Sequence, residues 1–189
     1  LTTSPLLVLD NSASPNRLGL LFSETVDTGF RFYPALTNGI RPQSLAAVVN
    51  ITMNCTSGTI TVYCRLFDST QGNLASVPGT SQSMTMRLYG YDSTQPMLGY
   101  LNNKKYSSAD SFIGNDFGGA SALSMGRKVL QGDGTWPAGP YNIAIGGRPI
   151  QSIQRFPGMI FEAYALSTQI SDSARGSIYG AQQSYFGIP

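Results

Sequence analysis

Only one segment of this 189-residue chain carries a helical repeat, and it is the last one. Everything before it breaks into short apolar and β-branched runs, parted by Gly, Pro, Asn and Ser. Many short strands, turn signals between them and one small helix predict an all-β fold of sandwich or jelly-roll type.

Several elements follow from local pattern. Residues 18–22 and 29–33 are short strand candidates. Residues 45–53 form an apolar run enriched in Val and Ile, which fits a buried central strand. Residues 60–67 are β-branched and aromatic. They are expected to pair with 45–53 as a hairpin turning at Ser57-Gly58. Residues 68–83 are turn-rich and read as a loop. In residues 84–91, Met84, Met86 and Leu88 alternate with Thr85, Arg87, Tyr89 and Tyr91, as on a half-buried strand. Residues 97–101 form a further short strand, and 107–127 a long loop with one strand near its end. Residues 131–140 hold three glycines, two prolines and the only tryptophan, and read as a loop. Strands are expected at 141–145 and 159–166. The terminal helix starts at Ser171, a good N-cap, with Asp172 placed to meet the helix dipole. Ala174, Ile178, Ala181 and Tyr185 recur at helical spacing as its apolar stripe. Gly176 and Gly180 weaken it by about 1 kcal/mol each relative to alanine.

The last third has a recognisable layout. Tyr141-Asn-Ile-Ala-Ile-Gly-Gly-Arg148 is a strand ending in two glycines. A polar loop, the Pro157-Gly158 introduction to a strand, a Leu166-Ser167 turn and the helix follow. This layout resembles the end of the laminin-G-like jelly rolls, in the concanavalin-like lectin and glucanase superfamily. The resemblance covers residues 141–187 and touches 45–53. It implies an antiparallel two-sheet jelly-roll sandwich with one short C-terminal helix, used for surface recognition. Likeness of fold does not name a ligand.

Length suits one domain over residues 1–189. Charged residues make up 12% of the chain, against about 25% in typical soluble domains. Hydroxyl and amide side chains fill the gap, which suits extracellular and virion surfaces. Net charge is +2, so no strong field draws the chain to nucleic acid. Lys104-Lys105, an adjacent basic pair, reads as a solvated loop. No apolar run approaches the length of a transmembrane helix, so membrane insertion is not expected. No signal-peptide pattern is visible.

The predicted hairpin register sets Cys55 opposite Ile60 and Cys64 opposite Ile51. That is too far apart for a bridge, so two free thiols are expected. The chain has no histidine, which removes Ser-His-Asp and Cys-His catalysis and histidine-containing metal sites. Glycoside hydrolysis needs two flanking carboxylates. The only glutamates are Glu24 and Glu162, and neither fits the Glu-x-Asp-x-x-Glu strand of the related glucanases. Glu162, in mid-strand, reads as a structural acid. The chain is therefore expected not to be an enzyme. The glycine-rich stretches at 118–122 and 132–134 lack the Gly-Lys-Ser/Thr ending of a phosphate loop.

Sugars offer apolar C–H faces ringed by hydroxyls, so flat aromatic rings and amide or carboxylate partners bind them. Two groups have that make-up. Asp133, Trp136, Tyr141 and Asn142 lie in or beside the 131–142 loop, where Trp136 serves either as a platform or as a plug. Arg87, Tyr89 and Tyr91 share one strand face, which serves either a ligand or a subunit contact. Calcium through Asp110, Asn115 and Asp116 is possible but matches no defined loop, so no cofactor is expected. The sequons at Asn50 and Asn54 are near chance in a chain so rich in Ser and Thr. The expected function is non-catalytic recognition or adhesion outside a cell or on a virion surface, with a glycan or receptor as ligand. A phage tail-fibre, head-fibre or decoration module fits, and homo-oligomers or contacts with other virion subunits are expected. The alternative is a structural assembly protein without a free ligand. A polysaccharide-active enzyme comes third.

Overall fold

The computed structural model describes residues 4–22, 30–32, 43–52, 64–70, 83–86, 98–108, 115–118, 125–133, 142–146, 156 and 158–189. These form two mostly antiparallel β-sheets and one C-terminal helix. The larger sheet has seven strands. From edge to edge they are β1 (Leu6–Asp10), β2 (Arg17–Phe22), β12 (Gly158–Leu166), β4 (Ser44–Ile51), β10 (Gly126–Asp133), β7 (Leu98–Leu101) and β8 (Lys104–Ser108). The smaller sheet has five: β3 (Phe30–Phe32), β11 (Asn142–Ile145), β5 (Cys64–Thr70), β6 (Ser83–Met86) and β9 (Asn115–Gly118). Every pairing is antiparallel except β5 with β6.

Strand β4 is the centre of the larger sheet, as its unbroken apolar run predicts, and all eight residues are buried. Its neighbours differ from expectation. Both of its edges are taken, by β10 on one side and β12 on the other. No edge is left for residues 60–67, and β5 lies in the other sheet between β11 and β6. The predicted hairpin is therefore not formed, because long-range partners with their own buried faces outcompete the neighbour in sequence. The argument for free thiols rested on that register and falls with it. Cys55 lies outside the described residues, and Cys64 is placed only as the first residue of β5.

Three features position the chain. At the Asn102-Asn103 turn both residues have positive φ, 47° and 62°. Asparagine tolerates this conformation better than other side-chain-bearing residues. The turn joins β7 to β8, so Lys104 and Lys105 start a strand rather than sit in a loop, though both are exposed. The Asn102 side chain also accepts from the Val129 N–H at 2.9 Å, pinning the turn to β10. Gly158 brings β12 against β4 so closely that a Cβ there would lie 2.1 Å from the Asn50 carbonyl oxygen. A bulge between Ile160 and Glu162 follows. It aims both Phe161 and Glu162 at the helix: Phe161 meets the Phe186 ring at 5.5 Å, and Glu162 accepts from Gln182 Nε2 at 2.8 Å. Glu162 is thus part of the helix seat, as its mid-strand setting suggests.

The helix α1 (Asp172–Phe186) begins where predicted. Ser171 caps it by accepting from the Ala174 N–H at 3.2 Å, and Gly187 ends it in the left-handed conformation. Its buried face is not the predicted stripe. Ala174, Ala181 and Tyr185 of that stripe are exposed and Ile178 is half-buried, whereas Arg175, Gln182 and Phe186 are buried and Tyr179 is half-buried. Two of the buried residues are polar, so hydrophobicity does not mark this face. They are admitted because the sheet supplies partners for them. Around Phe186 the apolar contact is with Val48, Val129 and Ile188.

Arg127 of β10 ties the ends of the chain together. Its Nε donates to Asp10 Oδ2 at 2.8 Å, and its Nη1 to the carbonyls of Pro15 and Phe186. Its Nη2 donates to the carbonyls of Ala13 and Asp10. All five guanidinium N–H groups are thereby used. Asp10 also accepts from Ser12 N–H, Ser12 Oγ and Asn50 Nδ2. Asn50 is buried by the same network, so the first sequon is closed in the folded chain. Asn54 lies outside the described residues.

Candidate functional site

The first turn of α1 sits over one end of β4, β10 and β7, and a chain of polar contacts holds it there. Ser44, at the start of β4, accepts from the Ile170 N–H at 3.0 Å and donates to Asp133 Oδ1 at 2.6 Å. Asp133 Oδ2 accepts from Arg175 Nη2, also at 2.6 Å. The same Nη2 donates to the Ile170 carbonyl at 3.1 Å. The guanidinium lies 3.6 Å from the centre of the Tyr100 ring. Ser44, Asp133, Arg175 and Tyr100 are all buried.

A cleft of about 440 Å³ opens above this floor, rimmed by Gln169, Ser171 and Asp172. The rim is exposed; the Asp172 side chain is 94% accessible and lies 3.5 Å from Arg175 Nη2. The Nε and Nη1 of Arg175 are buried and make no hydrogen bond; the guanidinium lies against the Tyr100 ring. Burial raises the Tyr100 hydroxyl above its ordinary pKa. The Asp133 and Asp172 carboxylates add to the rise, and Arg175 opposes it. The phenol therefore stays protonated at neutral pH. Both Asp133 oxygens are committed to Ser44 and Arg175. The arrangement is built to hold and donate hydrogen bonds.

A second, more apolar concavity of about 490 Å³ runs along α1, lined by Glu162, Ile178, Ala181, Gln182, Tyr185 and Phe186. Arg17 packs on one of these residues, with its guanidinium 4.0 Å from the Tyr185 ring centre and its Nε donating to the Tyr185 carbonyl.

The residues singled out in the sequence fall as follows. Asp133 is not in a loop: it ends β10, is buried, and anchors the floor of the cleft rather than its rim. The residues before it, Gln131 and Gly132, belong to the same strand, because β4 and β7 ladder them on both sides. Asn142 opens β11, in the other sheet from Asp133. Trp136, Tyr141, Arg87, Tyr89 and Tyr91 lie outside the described residues. Asn115 and Asp116 belong to strand β9 rather than a loop, and Asp110 lies outside the described residues. Sequence reasoning missed Tyr100, Gln169 and Arg175. The available signal for Arg175 was its place one helical turn after the Ser171 cap. Among the described residues no group of three or more His, Cys, Asp or Glu is placed to hold a metal ion, and no helix is long and apolar enough to cross a membrane.

The described residues define a mostly antiparallel β protein with a polar cleft at the start of a C-terminal helix. No family model, curated protein or solved structure matches the chain.

Proposed function

We propose that the chain is a non-catalytic recognition module of laminin-G-like, two-sheet jelly-roll type, displayed outside a cell or on a virus particle, and that it binds a neutral glycan in the Arg175 cleft. The observation that carries the reading is the exposed polar rim of Gln169, Ser171 and Asp172 over a floor that Ser44, Asp133 and Arg175 hold in place. Gln169, Ser171 and Asp172 supply the amide, hydroxyl and carboxylate partners that sugar hydroxyls use. Charge supports a neutral ligand. One guanidinium faces two carboxylates, Asp133 and Asp172, so an anionic sugar meets net repulsion. Arg175 Nη2 is also already engaged, which removes the usual two-pronged grip on an incoming carboxylate.

The test is a glycan array of neutral and acidic sugars, with and without calcium, followed by Gln169→Ala and Trp136→Ala on any hit. Binding of neutral sugars that is lost with Gln169→Ala and kept with Trp136→Ala supports the cleft. Loss with Trp136→Ala alone moves the site to the 131–142 loop. A blank array from folded protein refutes glycan recognition. A second reading, structural assembly without a free ligand, is favoured by exposed leucines on the β1 edge of the larger sheet.

A further inference from the structure

The two edges of the seven-stranded sheet differ in chemistry. At one edge, β8 begins with exposed Lys104 and Lys105, charges of the kind that block strand addition. At the other, β1 reads Leu6-Leu7-Val8-Leu9, with no charge among these four residues. Leu6, Leu7 and Leu9 are 66%, 69% and 53% exposed, and Leu18 of the neighbouring strand is 61% exposed. Leu9 and Leu18 are cross-strand partners and so share a face with Leu7, whereas Leu6 lies on the opposite face. The one acid of the strand, Asp10, is turned inward to Arg127 and puts no free charge on the edge. Among the described residues only β2 pairs with β1.

We propose that β1 pairs antiparallel with β1 of a second copy, joining two seven-stranded sheets across a two-fold axis. Apolar side chains stand on both faces of this edge, and a strand added in the plane of the sheet covers both at once. A partner docked on one face covers only one. The edge is also self-complementary. With the axis at Val8, Leu7 of each copy meets Leu9 of the other and the two Leu18 side chains flank that stripe, while on the opposite face Leu6 meets Asp10, whose carboxylate is held by Arg127. A charged partner strand finds nothing to pair with here, while every copy of the chain carries a matching edge. Four leucines per copy make a contact smaller than the about 800 Å² per partner of a standard stable interface. The dimer is therefore weak and reversible. This inference does not depend on the glycan reading.

The test is sedimentation velocity of the full chain over a wide concentration series, for the parent, Leu7→Lys/Leu9→Lys, and Met125→Lys as a control. Met125 is also exposed, at 64%, but adjoins β10, away from this edge. The expected result is a monomer–dimer equilibrium weakened by about tenfold or more in the double variant and unchanged in the control. The replaced side chains face solvent, so circular dichroism should stay at parent values. If it does not, Leu9→Lys alone is used. A parent that stays monomeric throughout, or a dimer indifferent to the β1 changes, overturns the proposal. The latter result would point to another surface or to a different protein as the occupant of this edge.

Discussion

Replacing Arg127 with alanine should be among the most damaging single changes in the larger sheet. The side chain is almost fully buried and its five N–H groups serve Asp10 and the carbonyls of Asp10, Ala13, Pro15 and Phe186. Removing one partner of a buried ion pair costs about 3–5 kcal/mol, because the other charge is left without compensation. The abandoned carbonyls of Ala13 and Pro15 are only half-buried, so water can take over part of their loss. The net expectation is a loss of about 4 kcal/mol. At about 2–4 °C per kcal/mol for a chain of this length, the melting temperature should fall by about 8–16 °C. Urea and thermal unfolding followed by circular dichroism measure both quantities. Acid titration adds a second readout. Burial by itself raises the Asp10 carboxyl, but the bonds from Ser12 and Arg127 outweigh it and hold the group below its ordinary pKa. A depressed carboxylate contributes stability that is present above the unfolded-state pKa and lost as pH falls through the folded value. The parent should therefore lose stability in acid more steeply than Arg127→Ala. A loss under about 1 kcal/mol, with the same acid slope in both proteins, would refute the reasoning.

Three further changes test the fold. Gly158→Ala places a Cβ within 2.1 Å of the Asn50 carbonyl oxygen, so β12 must move off β4. The expected cost is about 3 kcal/mol by urea unfolding. Gly180→Ala should do the opposite, since an added Cβ meets nothing within 4 Å. A gain of about 1 kcal/mol is expected from helix propensity, read as a rise in the unfolding midpoint. Ser171→Ala removes the acceptor of the Ala174 N–H and should cost about 1 kcal/mol. Because Ser171 also rims the cleft, that variant should weaken any glycan bound there more than Gly180→Ala does.

Local pattern alone marked the strands β2, β3, β4, β7, β11 and β12, but not β1 or β8. The apolar run of β4, the paired glycines after β11, the Pro-Gly before β12 and the Ser171 cap each act over a few residues, so each can be read without knowing the fold. It also set a chemical limit: a chain without histidine cannot carry Ser-His-Asp or Cys-His catalysis. Tertiary structure decided the partners. It gave β4 the strands β10 and β12 in place of the nearby 60–67 segment, since pairing is chosen by buried faces that can be distant in sequence. It turned Asp133 from an expected loop ligand into the anchor of a buried ion pair. It also rotated the helix so that Arg175 and Gln182 face the sheet while the apolar Ala174 and Ala181 face solvent. The physical reason is common to all three. Burial of a polar group depends on the partner waiting for it, and that partner is named by the fold and not by the neighbouring residues.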